Sequence, residues 1–317
     1  AYGTALLFAE AAAVVWPTNA RIAWLTGKLY RERLQLGKAE MWLRRAKRVA
    51  VWTGDWELQA RALISLSNLK VHLGDLPGGR ELLLSAVRLA KRERLGEQLA
   101  MAYHDLFVIA TYASQFNEAE LHAQQAFAAY GPEHPSLLRL AYDVSHWWTQ
   151  QVQFARAIQV LNALRDRFPE PERQLHVLAS TARAAGALND AAAFHDVWTR
   201  AWAVIESGAA DHLRAAAALE LGLGALSLGL REHAEHALAT ARDAARDSRE
   251  GDTLARAESA LDNLTHQLHG SPDLPARRAP AVRSADLASR LAHSIDAQPR
   301  AAAFCESSPA FSPRIPS

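Results

Sequence analysis

The stretch "LGLGALSLGLREHAEHALATA" (Leu221–Ala241) decides the fold. Its apolar residues recur at helical spacing, yet it contains Gly222, Gly224 and Gly229, each less favourable than Ala inside a helix by roughly 1 kcal/mol. Residues without side chains make sense in a helix where another backbone must come close. Ala234, Leu238 and Ala241 place small or apolar residues at i, i+4 and i+7. The same spacing recurs at Ala5/Ala9/Ala12, Ala39/Leu43/Ala46, Gly79/Leu83/Ala86, Ala119/Ala123/Ala126 and Ala157/Leu161/Leu164, and more weakly at Ala191/His195/Trp198. Successive first members lie 34, 40, 40, 38, 34 and 43 residues apart. Periods of this size mark stacked supersecondary units.

Residues at i, i+4 and i+7 share one helical face, and small ones there let a neighbouring helix approach. Twelve positions before the anchors a second helix often offers another small residue: Gly27, Ser67, Ser145, Ala179 and Gly222, with Phe107 breaking the rule. Pro17 and Pro169 fall twelve positions after their anchors, where a second helix should stop. Gly229 is expected in the turn. Each unit reads as an antiparallel helix pair that cannot cover its own apolar face, so the pairs must stack.

These features resemble the tetratricopeptide repeat family. The matches are "GKLY" (Gly27–Tyr30) with Ala39, "LGLGA" (Leu221–Ala225) with Ala234 and Ala241, "HLGDLPGGRELLLSA" (His72–Ala86), and the two prolines. The likeness covers about residues 1–250. It departs where Leu or Ala replaces anchor aromatics, and most units exceed the family's usual length of about 34 residues. The resemblance implies an all-α superhelix that serves as a protein-binding platform. We expect residues 1–269 to form this solenoid, with about six helix pairs, a leading half-repeat and a capping helix from Asp252 to His269. Residues 270–317, rich in Pro, Ser and Arg, are expected to be a disordered tail. Within it, 284–297 can form a short amphipathic helix through Leu287, Leu291 and Ile295, read as a transient helix in preference to a docking motif.

Half of the 317 residues are apolar and the net charge is +1, so the totals give no case for nucleic acid or an anionic membrane. The lone Cys305 leaves no disulfide framework or thiolate metal site and suits a reducing, cytoplasmic compartment. No apolar run approaches the roughly 20 residues of a membrane span. The opening segment lacks a basic leader and carries Glu10, so it does not read as a signal peptide. The chain opens on Ala1 rather than Met, and its first unit keeps only a second helix, so an upstream segment is expected.

In such a stack the first helix of each pair lines the concave face. That wall is expected to carry Arg21, Trp24, Lys28 and Arg31, then Arg61, Asn68 and His72, then His104 and Tyr112. It continues through Arg139, Tyr142 and His146, then Arg173, His176 and Arg183. The seventh unit, with Ala216, Leu219, Leu223 and Leu226, reads as apolar. Acidic residues lie only beside the stripe, as Glu32, Asp105 and Asp143. Guanidinium groups grip carboxylates through paired hydrogen bonds, while Trp24, Tyr112 and Tyr142 offer flat apolar contact. The expected ligand is therefore a protein or peptide with acidic groups or a free C-terminus. The competing reading has the arginines solvated or paired with acids of the adjacent unit.

His104, His146 and His176 read as peptide contacts, since equivalent residues of adjacent pairs lie roughly 10 Å apart, too far to share a metal. His233 and His236 read as an exposed pair, and Trp147–Trp148 and Trp198/Trp202 as packing. "GDLPGG" (Gly74–Gly79) lacks the Lys-Ser/Thr ending of a phosphate loop. No nucleophile has a convincing His partner, so no enzyme, cofactor or metal is expected. An RNA reader would need a more constant pitch. The leading reading is a non-enzymatic interaction scaffold. The alternative is a sensor module of a larger bacterial-type transcriptional or signalling regulator with its effector domain upstream.

Overall fold

The computed structural model describes residues 2–266 and 285–299, and every regular element among them is helical. Helix α1 (Tyr2–Val15) packs on the first hairpin, α2 (Ala20–Glu32) with α3 (Leu36–Thr53). The next hairpins are α4 (Trp56–His72) with α5 (Leu76–Glu93), and α6 (Gly96–Tyr112) with α7 (Phe116–Tyr130). Then come α8 (Leu137–Gln150) with α9 (Phe154–Leu164), and α10 (Pro171–Ala187) with α11 (Ala191–Glu206). A 3-10 turn (Asp211–Leu213) leads into α12 (Arg214–Ser227) with α13 (Arg231–Ser248), followed by α14 (Gly251–His266) and α15 (Ala285–Ala297).

The helices divide into two compact units at His134/Pro135. The connector is "GPEHPS" (131–136), in which Pro132 and Pro135 interrupt the tight turns used elsewhere. Those tight turns set the period. Left-handed residues fall at Leu34, Gly54, Gly74, Arg94 and Ser114, one every 20 residues. At each, the following N–H reaches back five residues, as Asp55 N to Ala50 O at 2.9 Å and Gln115 N to Ala110 O at 2.8 Å, which satisfies carbonyls the helix end leaves open. Helices of 17 or 18 residues, from α3 to α6, joined by such turns give the 40-residue hairpin. Asp55 and Asp75 then cap the next helices, accepting from Leu58 N and Gly78 N at 2.9 Å.

The anchor triplets beginning at residues 39, 79, 119, 157 and 234 are buried throughout. Two copies are out of register. Ala191 and His195 are exposed, and the buried face of α11 is Phe194, Val197 and Ala201. Shifting that anchor to Phe194 makes the neighbouring intervals 37 and 40 residues, more even than the sequence reading. In α1 the inward residues are Leu6 and Ala13, with Glu10 between them accepting from the Tyr30 hydroxyl.

The three glycines of the opening stretch do three jobs. A Cβ on Gly222 would lie 2.7 Å from Leu238 of its own partner helix, as one on Gly27 would lie 2.8 Å from Leu43. A Cβ on Gly224 would lie 2.5 Å from the Ala182 carbonyl oxygen, on the preceding hairpin. Gly229 forms the turn at φ +70°. Phe107 reverses the size pattern, since the equivalent partner position is Ala123. Successive first helices touch one another more closely than successive second helices do, so each unit curves with its first helices inside.

Helix α15 lies along α9, the shortest second helix at 11 residues. Leu287, Leu291 and Ile295 are 1%, 0% and 0% exposed, and Arg167 donates to the carbonyls of Ile295 (2.6 Å) and Gln298 (2.7 Å). A cation at a helix C-terminus satisfies open carbonyls and the dipole together. The segment read as a transient helix is thus docked. The rest of the expected tail lies outside the described residues.

Candidate functional site

The expected groove residues are shared between the two units: Arg21 to Tyr112 on α2, α4 and α6, and Arg139 to Arg183 on α8 and α10. In the first unit Trp24 donates its indole N–H to Ser65 Oγ at 2.8 Å, joining α2 to α4. Lys28 Nζ stands 4.9 Å from the Trp24 ring centre and the Arg61 guanidinium 5.8 Å. Arg61 is held by Glu57 at 3.0 Å and by Glu97 of α6 at 2.9 Å. Arg31 pairs with Glu32 at 3.0 Å. Arg21 and His72 are exposed, and Asn68 and Tyr112 are half-buried.

His104 departs from expectation. It is 4% exposed, with its ring against Phe107 and Tyr130 at 6.4 and 6.2 Å. Its slot is equivalent to Ile64, which is also buried. The His104 ring packs on α6 itself and on α7 of the same hairpin rather than facing an open groove, so His104 is a packing residue.

In the second unit one ring cluster joins α8 to α10. Tyr142 of α8 stacks on His146 at 6.3 Å, meets His176 of α10 at 6.0 Å and Phe168 edge-on at 6.2 Å. The Arg173 guanidinium lies 5.7 Å over Phe168, and Arg139 approaches Asp143 at 3.8 Å. Arg183 reaches α12, donating to Leu223 O at 3.2 Å and Ser227 Oγ at 3.1 Å, and approaches Glu220 at 3.9 Å. Arg256 of α14 reaches the same Glu220 at 3.4 Å. Glu220, absent from the sequence reading, thus ties three helices together. Its neighbour Leu219 made that wall read as apolar, because sequence spacing alone cannot aim two arginines from other helices at one carboxylate.

The rings of this cluster are half-buried. Burial pushes the Tyr142 phenol up, and it pushes His146 and Arg183 down despite the nearby Glu220 carboxylate. Burial lowers His176 to about 4, with smaller contributions from His146 and His212. His146 Nδ1 is buried with no hydrogen-bond partner among the described residues. Neutral, half-buried rings and an unmatched polar nitrogen suit an incoming amide or hydroxyl.

The depressed His176 also couples stability to pH. Unfolded His titrates near 6.5, so between about pH 6.5 and 4 the unfolded chain binds the extra proton. Stability is therefore full above that window and falls as pH drops through it, by up to about 3 kcal/mol. Thermal melts from pH 7 to pH 4 should show this decline, and His176→Phe should flatten it. An equal slope in the variant would contradict the assignment.

Among the described residues no group of three His, Cys, Asp or Glu side chains could hold a metal, and no helix is long and apolar enough to cross a membrane. Trp198 and Trp202 do pack across hairpins, against His233 at 4.9 Å and His236 at 4.6 Å.

No family model matches the sequence, and no curated protein matches it. Solved structures do. BtubC (BKLC) from P. vanneervenii is 16% identical over 65% of this chain and 89% of its own, with a TM-score of 0.55. The apo form of RapI is 13% identical over 78% of this chain and 92% of its own, with a TM-score of 0.57. A putative kinesin light chain with nearly identical TPR-like repeats from Podosopora anserina is 18% identical over 60% of this chain and 97% of its own, with a TM-score of 0.48. The fold is a tetratricopeptide-like α-solenoid.

Proposed function

We propose that this α-solenoid is a non-enzymatic, cytoplasmic interaction scaffold, holding a segment of a partner protein against the inner walls of its hairpin units. One observation carries the reading. On the inner wall of the second unit, Arg183 and Arg256 converge on the carboxylate of Glu220 beside the half-buried ring cluster of Tyr142, His146 and His176. The other carboxylate near Arg256, that of Asp252, stands 4.0 Å away and is 90% exposed, so a carboxylate from an acidic side chain or a free C-terminus can take its place against the two guanidinium groups. The rings next to it supply a flat apolar seat, and His146 Nδ1 a polar contact for a peptide amide.

The arginine stripe of the first unit contributes less, because Arg31 and Arg61 already have carboxylate partners. The test is selection from a library of peptides with free C-termini against the full chain. Arg183→Gln and Tyr142→Ala should each weaken the selected peptide at least about tenfold, a loss of roughly 1.4 kcal/mol. Parent-like affinity in both variants would refute the inner wall as the site.

A further inference from the structure

The densest positive charge lies on the outer side of the first unit, where no role has been assigned. Helices α3 and α5 together carry nine Lys and Arg against three Glu, on a chain whose net charge is +1. Because the unit curves with its first helices inside, these second helices are splayed, and a furrow opens between them over α4. Two adjoining clefts occupy it. One, of 630 Å³, is lined by Lys47 of α3, Gln59 and Leu63 of α4, and Ser85, Arg88 and Arg92 of α5. The other, of 580 Å³, runs past Arg44 and Arg48 towards Lys70 and Leu73, and the two share Lys47, Glu81 and Leu82.

The charge balance there favours anions. Six cations line the furrow (Arg44, Lys47, Arg48, Lys70, Arg88, Arg92) against Glu40, Asp75 and Glu81. Arg44 pairs with Glu40 at 2.7 Å, Lys70 with Asp75 at 3.1 Å and Arg92 with Glu93 at 2.7 Å. Lys47, Arg48 and Arg88 have no carboxylate within ion-pair distance among the described residues, and Arg88 donates only to Ser85 Oγ at 2.8 Å. The floor is apolar, made by Leu63, Leu66, Leu69, Leu82 and Leu89. At the rim Met41 and Leu73 remain 56% and 54% exposed. Gln59 Oε1 is buried with no partner among the described residues. Whichever way that amide is turned, one polar atom is left for a ligand to satisfy.

We propose that this outer furrow is a second binding site, for an acidic peptide segment in which Asp or Glu alternates with apolar residues. Carboxylates would meet Lys47, Arg48 and Arg88, alternate apolar side chains would cover the leucine floor, and a backbone amide would satisfy Gln59. The furrow follows α4 from Gln59 to Leu73, roughly 20 Å, enough for about six extended residues. A phosphodiester strand matches the cations but has no alternating apolar side chains for the floor, which makes an acidic peptide the better fit.

The probe is a fluorescein-labelled peptide of alternating Leu and Glu, about twice the furrow's six residues, titrated into the full chain by anisotropy. Its Gln-for-Glu counterpart and a single-stranded oligonucleotide of equal charge serve as comparisons. The acidic peptide should bind best, weaken steeply with salt, and lose at least about 30-fold in Lys47→Glu/Arg88→Glu, with Lys47→Gln/Arg88→Gln intermediate. Neither residue has a carboxylate partner among the described residues, and unchanged circular dichroism should show the variants folded. Tyr142→Ala, on the inner wall of the other unit, should leave this binding untouched, so the two sites fail independently. Equal binding to the charge variants, equal binding of the Gln peptide, or tighter binding of the oligonucleotide would each overturn the proposal.

Discussion

Gly186→Ala and Gly224→Ala should each destabilise the second unit by about 3 kcal/mol, lowering its melting temperature by roughly 6–12 °C. Helix propensity alone predicts the opposite sign, a gain of about 1 kcal/mol per substitution. The difference arises because α10 and α12 cross backbone to backbone. An added Cβ on Gly186 would collide with the Gly224 carbonyl, and one on Gly224 would lie 2.5 Å from the Ala182 carbonyl and 3.1 Å from the Phe194 ring. Carbonyl oxygens within a helix cannot swing aside as a side chain can. Gly27→Ala and Gly222→Ala meet the side chains of Leu43 and Leu238 at Cγ and Cδ2, with the backbone nitrogens farther off at 3.1 and 3.2 Å, so their losses should be smaller. Gly96→Ala, with open space around it, should be neutral or mildly stabilising. A thermal-melt series in that order checks the crossing; a stabilised Gly224→Ala would show that the two helices do not meet there.

Phe194→Ala should be the most damaging single truncation in α11, at about 3–5 kcal/mol, while His195→Ala should stay within about 0.5 kcal/mol. Phe194 is fully buried, packed on Trp198 at 5.4 Å and within reach of Gly224. His195 is exposed. The adjacent pair separates two registers for the same helix, since the anchor pattern read from sequence put His195 inward. Denaturant unfolding of both variants decides it. Equal stability, or a larger loss for His195→Ala, would return α11 to the sequence register.

That error has a physical source. Small residues at i, i+4 and i+7 mark an inward face only where the partner helix is bulky, and Ala191–Ala193 supply small residues on every side of the helix start. A buried ring at Phe194 sets the register and leaves no small-residue trace. The turns were legible only in part for a related reason. Gly54, Gly74 and Gly229 announce left-handed positions, but Leu34, Arg94, Ser114 and Val152 adopt the same conformation without glycine, each at a penalty of roughly 1–2 kcal/mol that stacking offsets. The repeat survived these gaps because crossings such as Gly27 over Leu43 and Gly222 over Leu238 recur at the same offset.

The inner wall was legible as a set of positions and misleading as a field. Arg61 and Arg183 do lie on first helices, yet Glu97 and Glu220, from the next hairpin, meet both. A pairing between residues 36 or 37 positions apart depends on how hairpins stack, which a one-helix stripe cannot encode. Charge reversal at Arg61 would therefore set it against Glu57 and Glu97 and disturb packing as well as any ligand. The outer surface was overlooked for the converse reason. Lys47, Arg48 and Arg88 sit among anchor residues that had been assigned to packing, and only the splay between α3 and α5 turns their outward sides into a furrow.

The inner-wall account is tested most directly by placing photoreactive benzoylphenylalanine at Tyr142, at His176 and, as an outer control, at His236, then irradiating the full chain with the library-selected peptide. The account predicts cross-links from 142 and 176, competed by unlabelled peptide, and none from 236. Cross-linking from 236 alone, or equally from all three positions, would contradict it.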